Sequence, residues 1–65
     1  MYRVTIVMHS GVVRVYETTK ETTDHVLKAW HDPDSLLIRF VCTTGKSRIV
    51  EVVPYQIDII EIGEM

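Results

Sequence analysis

The sequence predicts an α+β fold, a small five-stranded, mostly antiparallel sheet or partly closed barrel with one short helix, in the order β-β-α-β-β-β. Residues 2–17 contain two runs in which apolar and polar side chains alternate. Residues 18–31 begin with polar residues and continue with apolar residues at helical spacing, and residues 36–62 contain three runs rich in β-branched residues. Alternation with period two and β-branched runs between turn residues are typical of strands. We expect all 65 residues, 1–65, to form a single small β-rich domain.

The first two predicted strands form a hairpin. Ser10-Gly11 is a turn signal, because glycine readily adopts a positive φ. A hairpin that pivots on these two residues sets Ile6 opposite Val15 on the inner side. A slip of one residue would set Arg14 opposite Ile6 in the core, so the sequence favours the first register.

A short helix is expected after this hairpin. Thr18 begins a capping-box pattern, and Thr22 or Thr23 could equally cap a later start. Pro33 ends the helix near His31, because the residue before a proline is forced out of the α region. The apolar face of this helix consists of Val26, Leu27 and Trp30.

The next two strands form a ribbon with apolar side chains on both faces. A turn at residues 44–46 sets Phe40 against Val50 and Arg39 against Glu51. A strand that is apolar on both faces must be covered on both, and the short helix can cover only part of one. The uncovered aliphatic side chains favour a partner. The residues expected to line this contact surface are Leu37, Val41, Ile49, Val53 and Ile60, with Trp30 either in it or covering the opposite face.

The final strand repeats the two-sided pattern, with Ile57 and Ile59 on one side and Ile60 and Ile62 on the other. Its isoleucine-rich edge is a candidate for strand addition. With the break at Pro54 before it, the C-terminal part resembles the tail of small barrels of the SH3-like or Sm-like type. This resemblance concerns the fold, covers about half of the chain and implies no function.

The small size of the chain also favours a partner. Domains of this length hide only about 60% of the surface that the unfolded chain exposes, and they usually depend on disulfides, a metal or another chain. Cys42 is the only cysteine, so a disulfide within the chain is excluded. We therefore expect a small, non-enzymatic interaction or accessory domain whose first partner is itself, as a homodimer or higher oligomer. A larger protein is a further candidate partner, as for an accessory protein of a virus or mobile element.

No catalytic or metal site is predicted. His25 and His31 are six residues apart, about 120° around a helix, so they cannot hold one ion from the same face. Cys42 shares the inward phase of Phe40 and is expected to fill the core. The serines lack a pattern of histidine and acid, and the glycines are too scattered to form a phosphate-binding loop. We expect no enzymatic activity and no cofactor.

The charge distribution makes nucleic-acid binding the weaker alternative. The net charge of -2 divides into 7 basic against 5 acidic residues in 1–48 and 4 acidic residues without a base in 49–65. Phosphate binding needs clustered lysine and arginine. The alternative would use the outer face of the first hairpin, where basic groups beside an aromatic ring resemble a platform for single-stranded nucleic acid. Its candidate residues are Arg3, His9, Arg14 and Tyr16.

The sequence predicts a cytoplasmic protein without membrane contact. No apolar run approaches the ~20 residues of a membrane helix. Residues 1–5 begin a strand pattern without a signal-peptide layout. A single cysteine is typical of a reducing compartment.

Overall fold

The computed structural model describes residues 1–43 and 48–64, which contain five strands and one α-helix in the predicted order. Every pairing between these strands is antiparallel, so the small α+β fold is confirmed. The elements are β1 (Tyr2–Met8), β2 (Val13–Thr18), α1 (Lys20–His31), β3 (Ile38–Cys42), β4 (Arg48–Val52), a 3₁₀ helix (Pro54–Gln56) and β5 (Ile57–Glu64).

The strands form two sheets that meet at one corner. One sheet has the order β2-β1-β5, so the last strand pairs with the first, and the other is the β3–β4 hairpin. At the corner, the backbone N–H of Thr43 donates to the carbonyl oxygen of Glu17 over 2.9 Å. The buried hydroxyl of Thr18 donates to the carbonyl oxygen of Val41, also over 2.9 Å. These bonds fix β2 to β3 at the end where α1 begins.

The register predicted for the first hairpin is wrong by one residue. Arg14 lies opposite Ile6, and Tyr16 lies opposite Val4. The cause is the loop, which has three residues instead of two: the N–H of Met8 donates to the carbonyl oxygen of Val12, and Gly11 has a φ of 91°. Three-residue hairpin loops commonly end with a glycine in this conformation.

The helix begins between the predicted alternatives. Thr19 is its N-cap, and the Thr19 hydroxyl accepts a hydrogen bond from the backbone N–H of Thr22 over 3.3 Å. Thr18, expected to open a capping box, is instead the last residue of β2 and is fully buried. The helix ends at His31, as predicted. Its buried face contains Thr23 and Val26, whereas the predicted Leu27 is only partly buried.

The β3–β4 hairpin has the predicted register. Phe40 lies opposite Val50, and Arg39 lies opposite Glu51. Alternate residues of β3 are buried, including Cys42, which was expected in the core. The predicted turn at residues 44–46 lies outside the described residues.

The predicted faces of β5 are wrong at its start, where a β-bulge interrupts the ladder with β1. Met8 pairs with Ile57 and Val7 pairs with Ile59, so Asp58 is an extra residue in β5. A bulge of this kind reverses the faces of the residues on its two sides. Ile57 is therefore buried and Ile59 is exposed, although they are two positions apart.

The buried side chains form one core between the two sheets and α1. Tyr16 and Phe40 meet there edge to face, with ring centroids 5.5 Å apart and planes at 84°. Such an arrangement is favoured because the positive edge of one ring faces the negative face of the other. The core residues are Val4, Ile6, Tyr16, Val26, Ile38, Phe40, Cys42 and Ile57.

Candidate interaction surfaces

The outer side of the β3–β4 hairpin is an exposed apolar surface, which we call the hairpin face. Val41 and Ile49 form a cross-strand pair and are 49% and 57% exposed. Leu37, which directly precedes β3, is 46% exposed. These side chains point outward because the inward positions of β3 belong to the core. The hairpin face consists of Leu37, Arg39, Val41, Ile49, Glu51 and Val53.

An ion pair crosses the middle of the hairpin face. The Arg39 Nε atom lies 3.9 Å from the Glu51 Oε1 atom, and both side chains are more than half exposed. The pair Val41 and Ile49 lies on one side of it. On the other side lie Leu37, which directly precedes β3, and Val53, which directly follows β4. The face thus has one cation and one anion between two apolar rows.

Two of the residues expected on this surface have other surroundings, and a third, Val53, belongs to the hairpin face but is only partly exposed. Ile60 lies opposite Ile6 in the three-stranded sheet and packs against the core. Trp30 also packs against the core, with its ring centroid 5.1 Å from that of His31. Trp30 therefore covers the core from the helix side, the second of the two positions considered for it.

A second exposed apolar surface was missed by the sequence analysis. On the outer side of the three-stranded sheet, Val7 lies opposite Val13 on one side and Ile59 on the other. Val13 is 57% exposed, and Val15 and Ile59 are also exposed. We call these four residues the sheet face. The hairpin register and the β5 bulge create it, and neither was predicted.

The four residues of the nucleic-acid alternative do not share one surface. Tyr16 is buried, and Arg14, which is exposed, is on the same side of β2 as Tyr16 and opposite Ile6. Arg3 is on the opposite side of the sheet. The His9 Nδ1 atom lies 3.8 Å from the Asp58 Oδ1 atom at the loop end. The predicted platform of arginine beside an exposed aromatic ring is therefore not assembled.

Within residues 1–43 and 48–64, no three histidine, cysteine, aspartate or glutamate side chains gather as metal ligands. In the same residues, no helix has the length and apolar character needed to cross a membrane. Comparison of the chain with protein-family models, curated protein sequences and solved structures found no significant match.

Proposed function

We propose that this chain is a small, non-enzymatic interaction domain that binds a second copy of itself through the hairpin face. The observation that carries the proposal is the adjacent exposure of Leu37, Val41 and Ile49 around the Arg39–Glu51 ion pair. Removal of apolar surface from water is favourable by about 25 cal/mol per Å². Clustered exposed aliphatic residues of this kind are common at protein–protein contacts.

The charges on the hairpin face select one arrangement of two copies. A two-fold axis parallel to the strands places β3 of one copy over β4 of the other. Arg39 then faces Glu51 of the second copy, and Val41 faces Ile49. An axis across the strands would instead place Arg39 over its own equivalent, which is repulsive. Because a two-fold interface uses the same patch on both copies, this face is self-complementary in the first arrangement.

The sheet face does not have this property. Arg3 lies on the central strand β1 of that surface, so an axis along β1 brings it against its own equivalent. An axis across the strands at Thr5, which would bring the whole surface into contact, sets the apolar row of Val13, Val7 and Ile59 against the row that contains Glu17 and Arg3. Either arrangement opposes like charges or buries a charge against an apolar side chain, which is unfavourable. For this reason we propose the hairpin face, rather than the sheet face, for self-association.

The dimer is expected to be weak. Two strands of five residues span a footprint on the order of 170 Å² at normal strand spacing. Stable interfaces bury about 800 Å² on each partner, and association must also overcome lost rotational and translational freedom. We expect a dissociation constant between about 10 µM and about 1 mM.

Two matched substitutions test the assignment. Val41→Glu places a charge on the hairpin face, and Val13→Glu places the same charge on the sheet face at a similarly exposed strand position. We expect sedimentation equilibrium to show a dimer for the wild type and Val13→Glu and a monomer for Val41→Glu. Loss of the dimer in Val13→Glu alone would move the interface to the sheet face.

We also propose a cytoplasmic location. The support is the single cysteine, Cys42, which is buried in the core as a thiol. Proteins of oxidising compartments and of this size generally contain several cysteines in disulfides. Expression of the chain with a fluorescent tag and fractionation of the cells would test the location.

A further inference from the structure

A cleft opens between the two sheets, and it shares Ile49, Glu51 and Val53 with the hairpin face. It has a volume of about 530 Å³. The inner sides of β1 and β2 form its floor, and β4 forms one wall. The sheets are joined at the corner of Glu17 and Thr43, and the cleft lies where they separate. Its aliphatic lining consists of Ile6, Met8, Val12, Ile49, Val50, Val52 and Val53.

Two arginines border this cleft. Arg14 extends from β2, and Arg48 extends from the start of β4. The Arg48 guanidinium carbon lies 5.9 Å from the centre of the Tyr16 ring. At this distance a cation–π interaction holds the guanidinium against the edge of the core. In the described part of the chain, neither guanidinium lies within 4.0 Å of a carboxylate. Glu51 also borders the cleft, but its carboxylate is next to Arg39.

The backbone edge of β4 faces the same cleft. Residues 48–53 line it without interruption, although successive side chains of a strand point to opposite faces. An uninterrupted run is typical of a strand that presents its edge. In its own sheet, β4 pairs with β3 on the other side. An exposed strand edge offers N–H and C=O groups to an added strand.

We propose that this cleft binds an extended peptide segment in which apolar and acidic side chains alternate. The peptide adds to β4 as a further strand and directs its apolar side chains toward Ile6, Met8 and Val12. Its carboxylates lie at the rim, where Arg14 and Arg48 supply charge-assisted hydrogen bonds. Strand addition provides backbone bonds for affinity, and the two arginines provide selectivity for acidic residues.

The test uses the full chain and a fluorescent, end-capped octapeptide of alternating glutamate and valine, measured by fluorescence anisotropy. We expect saturable binding. A matched peptide with lysine in place of glutamate is expected to bind at least tenfold more weakly, because the arginines then repel it. A glutamate peptide N-methylated at alternate residues is also expected to lose at least tenfold, because it cannot complete the backbone bonds.

Substitutions in the protein test whether the peptide binds in this cleft. The double substitution Arg14→Gln with Arg48→Gln is expected to weaken binding at least tenfold. The control, Arg3→Gln with Lys28→Gln, removes the same charge from exposed positions outside the cleft and is expected to change binding less than twofold. The Val41→Glu variant should bind the peptide normally, so a failure of self-association and a failure of peptide binding are distinguishable.

Three results would overturn the proposal. The glutamate peptide could fail to saturate, or the control variant could weaken binding as much as the cleft variant. Alternatively, decanoate could bind while the peptide does not, which would identify the cleft as a site for small anionic amphiphiles. Circular dichroism of each variant verifies its fold, and the peptide comparisons with the wild type need no substitution in the protein.

Discussion

Arg14 lies directly opposite Ile6 across the first hairpin and on the same side of β2 as the buried Tyr16. This relationship determines which side chains reach the surface. It places Tyr16 in the core, and it places Val13 and Val15 on the outer side, where both are exposed. It also leaves Arg14 at the cleft between the sheets.

The placement of Tyr16 predicts a large difference between two tyrosines. Tyr16→Ala removes a buried ring that meets Phe40 edge to face, and we expect a loss of about 3–5 kcal/mol in the free energy of unfolding. Tyr55 is 79% exposed, and Tyr55→Ala is expected to change stability by about 0.5 kcal/mol or less. Urea denaturation at one low protein concentration measures both. Equal losses would contradict the observed register.

The bulge at Asp58 predicts unequal roles for two isoleucines on one strand. Ile57 is 4% exposed and Ile59 is 45% exposed. We expect Ile57→Ala to cost about 2–4 kcal/mol, because it leaves a cavity in the core. Ile59→Ala is expected to cost less than about 1 kcal/mol. If regular alternation continued through this segment, the two substitutions would have similar effects in urea denaturation.

The corner between β2 and β3 predicts a cost for the loss of one hydroxyl. Thr18→Val keeps the shape of the side chain but removes the bond to the carbonyl oxygen of Val41. We expect a loss of about 1–3 kcal/mol, because the hydrogen bond of a fully buried side chain is lost and the Val41 carbonyl oxygen loses a donor. Thr5→Val, on the outer side of β1, is the matched control and is expected to remain within about 0.5 kcal/mol of the wild type. Thermal denaturation monitored by circular dichroism gives the comparison.

The charge arrangement of the hairpin face predicts the behaviour of mixed variants. Arg39→Glu gives that face two anions, and Glu51→Arg gives it two cations, so each variant alone is expected to be monomeric. A mixture restores opposite charges across the interface, and we expect it to form a heterodimer. Native mass spectrometry of the mixture separates the species by mass. A mixture that contains only monomers would exclude this face from the dimer.

The order of elements was predictable from the sequence because each run has a clear period. The β3–β4 register was also predictable, since apolar alternation continues from Ile38 through Cys42 and sets the pairing of Arg39 with Glu51. The order of the strands within the sheets was harder to predict from the sequence. Nothing in the residues of β5 indicates that this strand pairs with β1 and not with β4.

The two errors, in the register of the first hairpin and in the faces of β5, have the same physical origin. In each case one strand or loop contains a single residue more than regular pairing requires. Ser10-Gly11 fits a loop of two or three residues, and glycine suits both. Likewise, Ile57 and Ile59 are two positions apart in the sequence whether or not Asp58 forms a bulge. Each extra residue reverses a face, so the sheet face and the surroundings of Arg14 could not be predicted. The hairpin face could be predicted from the sequence because no such irregularity interrupts β3 or the described part of β4.

Self-association is tested most directly by sedimentation equilibrium of the wild-type chain from about 10 µM to about 1 mM. We expect the average mass to rise with concentration from the monomer value of 7.5 kDa toward twice that value. A mass that remains at 7.5 kDa throughout this range would contradict the account.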